Sequence, residues 1–204
     1  MSVDQLPPLG DTAADRPAPP ERALLRARLR AAREAFVAGP SAGEAQAALS
    51  SRLVEVLRQL EPRCLGLYWA IRSEFNAVPA CAADPQLQAL HWALPYTERA
   101  QRRMQFRHWD RQRPALRDES GLPAPDGPAA EPDVVLVPCL GYTAQGYRLG
   151  YGAGYFDRWM AEHPGVTAVG VAWSCAAMDE ADFRPEPHDR PLMLVVTEQG
   201  IVGG

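Results

Sequence analysis

Between Gly146 and Arg158 the chain reads Gly-Tyr-Arg-Leu-Gly-Tyr-Gly-Ala-Gly-Tyr-Phe-Asp-Arg. Glycines alternate at 150, 152 and 154, with Arg148 ahead of them and Asp157 and Arg158 behind. Glycine tolerates positive φ and puts no Cβ between the backbone and a ligand. Amides exposed in this way can converge on one anion, and the start of a following helix adds positive potential. Guanidinium groups suit phosphate oxygens, and a carboxylate suits magnesium. Taken alone, the glycines fit a sterically tight connection equally well. The two arginines, the aspartate and Tyr151 and Tyr155 around them favour a phosphate site.

Other phosphate motifs are excluded by spacing. No Gly-Lys-Ser/Thr is present, and the glycines run G-x-G-x-G rather than G-x-G-x-x-G. The chain has no lysine; all 21 basic residues are arginine. Schiff-base chemistry and a phosphate-binding lysine are therefore both ruled out. The net charge of −4 gives no general attraction to nucleic acid. No apolar run reaches the length of a membrane span, and no basic-then-apolar leader opens the chain. Cysteines at 64, 81, 139 and 175 form no C-x-x-C pair. They read as free thiols of a cytoplasmic protein, not as zinc ligands. Oligomeric state is not legible in these residues; a monomer acting on small molecules is favoured.

The run Leu136-Val-Pro-Cys-Leu-Gly-Tyr142, followed by Gly146 to Asp157, resembles the signature of the 5-formyltetrahydrofolate cyclo-ligase family. A weaker likeness extends from about Arg22 to about Glu198. The resemblance implies ATP- and magnesium-dependent closure of 5-formyltetrahydrofolate to 5,10-methenyltetrahydrofolate through a phosphorylated formyl group, releasing ADP and phosphate. It implies nucleotide contacts from Arg22, Arg26 and the run Arg148, Leu149, Gly150, Tyr151, Gly152, Ala153, Gly154, Tyr155 and Phe156, with Arg158 beside it. Folate contacts fall on Trp69 and Glu74, with Tyr151, Gly152, Ala153, Gly154 and Tyr155 bordering both ligands. Asp157 and Asp189 stand at the magnesium positions, and Arg148 and Tyr155 at the catalytic ones. The chain departs from the family pattern in four places. Arg22 stands where lysine is usual, Asn76-Ala77 where an acidic residue and threonine follow the glutamate, Phe156 where a second tyrosine is common, and Met193 where another aspartate is common. A folate- or nucleotide-binding protein without turnover is the first alternative. A sugar-phosphate isomerase on a similar frame, needing a base and no ATP, is the second.

These residues need a frame to hold them. Residues 1–20 are proline-rich and read as a disordered tail, followed by one domain over 21–204. Glu21 to Phe36 has helical spacing, with Leu25, Leu29, Ala32 and Phe36 as its buried face. Arg22, Arg26, Arg30 and Arg33 form a second stripe, of which Arg30 and Arg33 read as solvated. Ser41 to Glu44 reads as a capping box opening a helix to about Leu60. Strands are expected at Cys64–Trp69, Leu90–Leu94 (ending at Pro95), Met104–Trp109, Asp133–Pro138, Val166–Trp173 and lastly Leu192–Thr197. Short helices are expected at Pro85–Leu90 and Tyr155–Glu162. Glu74 follows the first strand, and ligands of open α/β sheets collect at carboxyl ends of strands. Arg99, Arg102, Arg103 and Arg107 read as surface charge. Residues 112–133, with five prolines, read as a long surface loop. His188 and Asp189 close a proline-flanked loop. The alternation predicts a three-layer α/β sandwich around a mainly parallel sheet.

Overall fold

The computed structural model describes residues 20–179, 182–186 and 189–203. The proline-rich start and His188 lie outside the described residues.

The frame grows outward from β7, Val134–Pro138, whose four aliphatic residues are buried on both faces. Such a continuous apolar run suits a strand covered by helices on either side. β7 pairs in parallel with β1 (Cys64–Gly66) and with β10 (Thr167–Val171). β2 (His91–Glu98) adds to β1 in parallel, and β11 (Leu194–Val196) adds to β10. Both edges are antiparallel. β3 (Arg103–His108) and β6 (Ala129–Ala130) lie beyond β2, and β12 (Ile201–Val202) lies beyond β11. The eight strands run β12-β11-β10-β7-β1-β2-β3-β6. Strand order therefore reverses between β1 and β7, and the crevice at their carboxyl ends is the expected ligand position of such a sheet.

One face carries α2 (Ala42–Leu60), whose Leu49, Leu53 and Leu57 are fully buried, with α3 (Val78–Ala83) and α4 (Pro85–Gln88) beside it. The other carries α5 (Tyr155–Glu162), which buries Trp159 and Met160 against Phe106, Val135 and Val137. These are the three expected layers. α1 (Pro20–Val37) forms a separate cluster, with Leu25 and Leu29 against Leu140, Leu149, Met178 and Phe183. Among the described residues no helix is long and apolar enough to cross a membrane.

Several local expectations change. Arg33 is only 1% exposed, whereas Ala32 faces outward. The buried face of α1 thus steps 25, 29, 33, 36. Ser41 makes no side-chain cap; its backbone sits at φ −85°, ψ 0°. β1 stops at Gly66, three residues short of the expected Trp69, with one further bond from the Leu67 N–H to Ala93 O at 2.8 Å. α3 and β12 are additions, and β2 continues through Pro95 to Glu98. Past Ala93 that strand has a neighbour on one side only, so a residue without an N–H is tolerated. Residues 112–133 are organised by buried Asp118 rather than left as a plain loop. Its carboxylate accepts the Ser120 and Leu122 N–H groups at 3.0 and 2.8 Å and the Thr97 hydroxyl at 2.5 Å. A small hairpin of β4 (Leu116–Arg117) and β5 (Pro123–Ala124) results.

Candidate active site

After β7 the chain does not pass straight into the glycine loop. It first forms a hairpin, β8 (Gly141–Tyr142) against β9 (Arg148–Leu149), with Gly146 in the turn. The hairpin is anchored at its base, where the Leu140 N–H donates to Leu149 O at 3.0 Å. Arg148 therefore lies on a strand, 8% exposed. Leu149 turns its side chain into the cluster under α1, where it packs rather than faces outward.

The alternating glycines run beside three arginine side chains. A Cβ on Gly150 would meet Arg148 Nη1 at 2.8 Å. One on Gly152 would meet Arg26 Cζ at 3.4 Å, and one on Gly154 would meet Arg158 Nη1 at 2.9 Å. Gly152 (φ +105°) and Gly154 (φ +64°) also hold conformations that L side chains avoid. Positive φ thus accounts for glycine at 152 and 154, while three guanidinium groups from three elements lie close along the loop. Gly154 ends the loop and caps α5 without a side-chain bond.

Each arginine is aimed by a specific partner. Arg26, from α1, donates through Nε to Gly150 O at 2.9 Å. Burial lowers its pKa first, with the neighbouring Arg22 charge second. Arg148 donates to Asp157 Oδ1 at 2.7 Å, and its guanidinium lies 5.8 Å over the Phe156 ring. Its Nε is buried without an acceptor among the described residues. Phe156 in turn packs on Phe106, edge to face, so the ring common as tyrosine in the family here supports Arg148. Arg158 spans two carbonyls, Arg102 O and Ala153 O, both at 2.8 Å, and lies over Tyr155. It ties the loop to the β2–β3 turn. The Arg102 of the expected surface-charge cluster therefore has a backbone role in this brace. Arg22 donates to Asp189 Oδ2 at 2.9 Å and Arg184 O at 3.0 Å, and lies 3.3 Å from Glu186.

Glu74 follows β1 across the switch point. Its Oε2 accepts the Ile71 N–H at 2.9 Å. Burial pushes its carboxyl above the usual range, opposed by that N–H, by the Arg33 and Arg72 charges and by a hydrogen bond with Tyr151. Trp69 is half-buried with its ring edge on Trp109, 6.3 Å between centroids. Sequence reasoning missed Arg33, which donates to Ser73 Oγ at 3.1 Å and to the Tyr151 hydroxyl. The available signal was its place four residues after Leu29, on the buried face. Arg72 was also missed; it holds φ +54° and lies 5.8 Å from the Tyr151 ring. A concavity of about 570 Å³ beside Trp92, His108, Trp109 and Arg111 contains none of the sequence-predicted site residues.

The donor set suits a polyanion, since guanidinium groups crowd a loop whose carboxylate, Asp157, is already paired. It suits magnesium more narrowly. Among the described residues no three carboxylate, histidine or cysteine side chains gather. Asp157 and Asp189 each already face an arginine. An ion held by one or two carboxylates takes its remaining oxygens from phosphate and water, which is how magnesium usually binds.

Comparison with known proteins agrees on the frame. Residues 18–198 match the 5-formyltetrahydrofolate cyclo-ligase family. A 5-formyltetrahydrofolate cyclo-ligase of Mycolicibacterium smegmatis is 37% identical over 105 residues, 46% of this chain and 53% of that protein. One of Mycoplasma pneumoniae is 32% identical over 68 residues, 33% of this chain and 40% of that protein. The chain thus spans about half or less of the length of these curated relatives. The solved structure of a 5,10-methenyltetrahydrofolate synthetase from Mycoplasma pneumoniae superposes with a TM-score of 0.68 at 19% identity, over 87% of this chain and 98% of that one. The NMR structure of the Aquifex aeolicus 5,10-methenyltetrahydrofolate synthetase gives 0.68 at 23% identity, over 89% and 92%. At these identities the two structures speak for the fold. With the family match running through α1, the hairpin, the glycine loop and the last parallel strand, this chain belongs to the 5-formyltetrahydrofolate cyclo-ligase family.

Proposed function

We propose that the chain closes 5-formyltetrahydrofolate to 5,10-methenyltetrahydrofolate at the expense of ATP, releasing ADP and phosphate. We read it as a cytoplasmic monomer that takes these two small molecules. The observation that carries the reading is the crowding of Arg26, Arg148 and Arg158 on the Gly150–Gly154 backbone, with Glu74 on the neighbouring loop.

An N-formyl amide is a poor electrophile, and its oxygen is a poor leaving group. Attack of the formyl oxygen on the terminal phosphorus breaks the bond to ADP and removes both faults. N10 then attacks the formyl carbon and loses its proton. The C–O bond breaks, phosphate leaves with that electron pair, and the charged N–CH–N bridge remains. No covalent enzyme nucleophile is needed, so alignment and charge stabilisation are the protein's task. Arg26 and Arg148 hold phosphate oxygens against the glycine backbone. Arg22 carries the same charge at the start of α1. Arg158 keeps the loop on its hairpin neighbour. Tyr155, at the start of α5, presents its hydroxyl to the transferring group. Trp69 and Glu74 hold the folate ring, the carboxylate accepting from ring N–H groups. Magnesium, when bound, neutralises phosphate charge, and Asp157 and Asp189 are the residues that would hold it.

The experiment is a dual-substrate assay on the purified chain with ATP, magnesium and 5-formyltetrahydrofolate. Methenyl absorbance and phosphate should rise together and only when both substrates are present. Binding of both without phosphate release would identify a binding protein without turnover, and the proposal would fall.

A further inference from the structure

Arg33 is a buried cation that no carboxylate touches directly among the described residues. It is 1% exposed, on the face of α1 that otherwise buries leucines. Its Nε donates to Ser73 Oγ at 3.1 Å, and its Nη2 donates to the Tyr151 hydroxyl. Guanidinium has donors only, so Tyr151 must accept from it and turn its own proton elsewhere. Glu74, next to Ser73 on the same turn, is the carboxylate on that side, and it and the Tyr151 hydroxyl shift one another's titration. Glu74 also accepts the Ile71 N–H at 2.9 Å. A carboxylate offers about four lone-pair sites, so acceptor capacity remains for a ligand. Ser73 is held from behind, because Trp173 Nε1 donates to its carbonyl at 2.9 Å and Phe36 packs on Trp173 at 5.4 Å.

We infer that Arg33 is a positioning residue which, by bonding both Ser73 and Tyr151, ties the turn that carries Glu74 to the glycine loop and so sets the affinity of the site for the donor edge of the folate ring. This rests on the functional reading above. The chain of bonds joins α1, the loop after β1 and the loop after β9 at the switch point. Arg33 itself stands among none of the ligand contacts, so it braces the ring side of the site from behind. The groups facing Glu74 are Arg33 from α1, Tyr151 from the glycine loop, Arg72 and Tyr68 from its own segment, and Cys139 after β7. Arg33 and Arg72 are the cations among them. Removing Arg33 leaves the carboxylate less able to stay charged.

The test is calorimetric binding of 5-formyltetrahydrofolate, without nucleotide, between pH 5.5 and 8. It compares the wild-type chain with Arg33→Lys, Arg33→Met, Tyr151→Phe and the Met/Phe double variant. A hydrogen bond to a charged group corresponds to about tenfold in affinity. Arg33→Met and Tyr151→Phe should each weaken the folate by about that factor, and the double variant should be no worse than either. ATP affinity of Arg33→Met should stay within about twofold, since Arg33 makes no contact with the glycine backbone. In Arg33→Met the acid loss of folate affinity should move to higher pH, and Arg33→Lys should restore the wild-type profile. Should Arg33→Met not fold, Tyr151→Phe and Arg33→Lys still decide. A folded Tyr151→Phe with wild-type folate affinity overturns the inference, as do additive losses in the double variant. A wild-type chain that binds no 5-formyltetrahydrofolate overturns the functional reading and this inference with it.

Discussion

α1 and α2 are neighbours of nearly equal length, 18 and 19 residues, yet they do opposite work. α2 buries Ala45, Leu49, Leu53, Val56 and Leu57 against one face of the sheet. α1 buries two leucines and an arginine, and lies at the carboxyl end of the strands. Its guanidinium groups reach the glycine loop, the Ser73 hydroxyl, the Arg184 carbonyl and Asp189. One helix is held by apolar area and the other by directional bonds to loops. Apolar burial is non-directional and tolerates shifts, whereas hydrogen bonds to backbone carbonyls set position. The fold therefore rests on α2, and the geometry of the site rests on α1.

This contrast can be broken from either side. The largest effect is expected for Leu53→Ala in α2. Emptying that fully buried site should cost about 2–5 kcal/mol of stability in urea denaturation, with KM values unchanged in the surviving folded protein. A smaller loss, or a KM shift, would mean that α2 also sets the site. Next comes Arg148→Met. It should lower kcat by about a hundredfold or more, some 2.7 kcal/mol of barrier, while circular dichroism stays that of wild type. Arg26→Ala should raise the KM for ATP about tenfold, roughly 1.4 kcal/mol, and leave the urea midpoint nearly in place. An unfolded Arg26→Ala would show that α1 is structural after all.

The smallest effect sharpens the comparison by pH. Burial raises the Glu74 pKa above its unfolded value. Folding then favours the protonated form, so the stability it contributes is full below the unfolded pKa and is lost as pH rises through the folded one. Glu74→Gln has no charge to bury. It should be more stable than wild type at pH 7.5, with the gap closing as pH falls to about 4, while folate binding weakens at neutral pH. Equal stabilities at both pH values would show that Glu74 bears no burial cost.

Much of the frame is legible without coordinates. Val134–Pro138 is read within one residue and Tyr155–Glu162 at both ends, because each has an unbroken apolar or helical pattern between glycine and proline breaks. The paired layers follow from alternation of these elements. Short pieces are not legible. β8 with β9 and β4 with β5 are two-residue ladders made by their partners and by Asp118, not by propensity. In the site, residue types point to phosphate chemistry, but partners do not. Arg33 and Arg30 look alike in a helical stripe. Only the position of the loop after β1 brings Ser73 to Arg33 and leaves Arg30 Nε buried with no acceptor among the described residues.

The sequence by itself determined the chemical inventory: arginine as the sole strong cation, a bare backbone between 150 and 154, and carboxylates at 74, 157 and 189. It also determined that the central strands lie covered on both faces, since continuous apolar runs of that kind suit a parallel sheet between helices. The tertiary structure alone decided that the three glycines run beside three guanidinium groups from three elements. It alone decided that Arg148 faces Asp157 and Arg22 faces Asp189. The physical reason is that helical and strand periods are local properties of the chain. The partner of a charged side chain is whichever distant segment the packed core delivers to it.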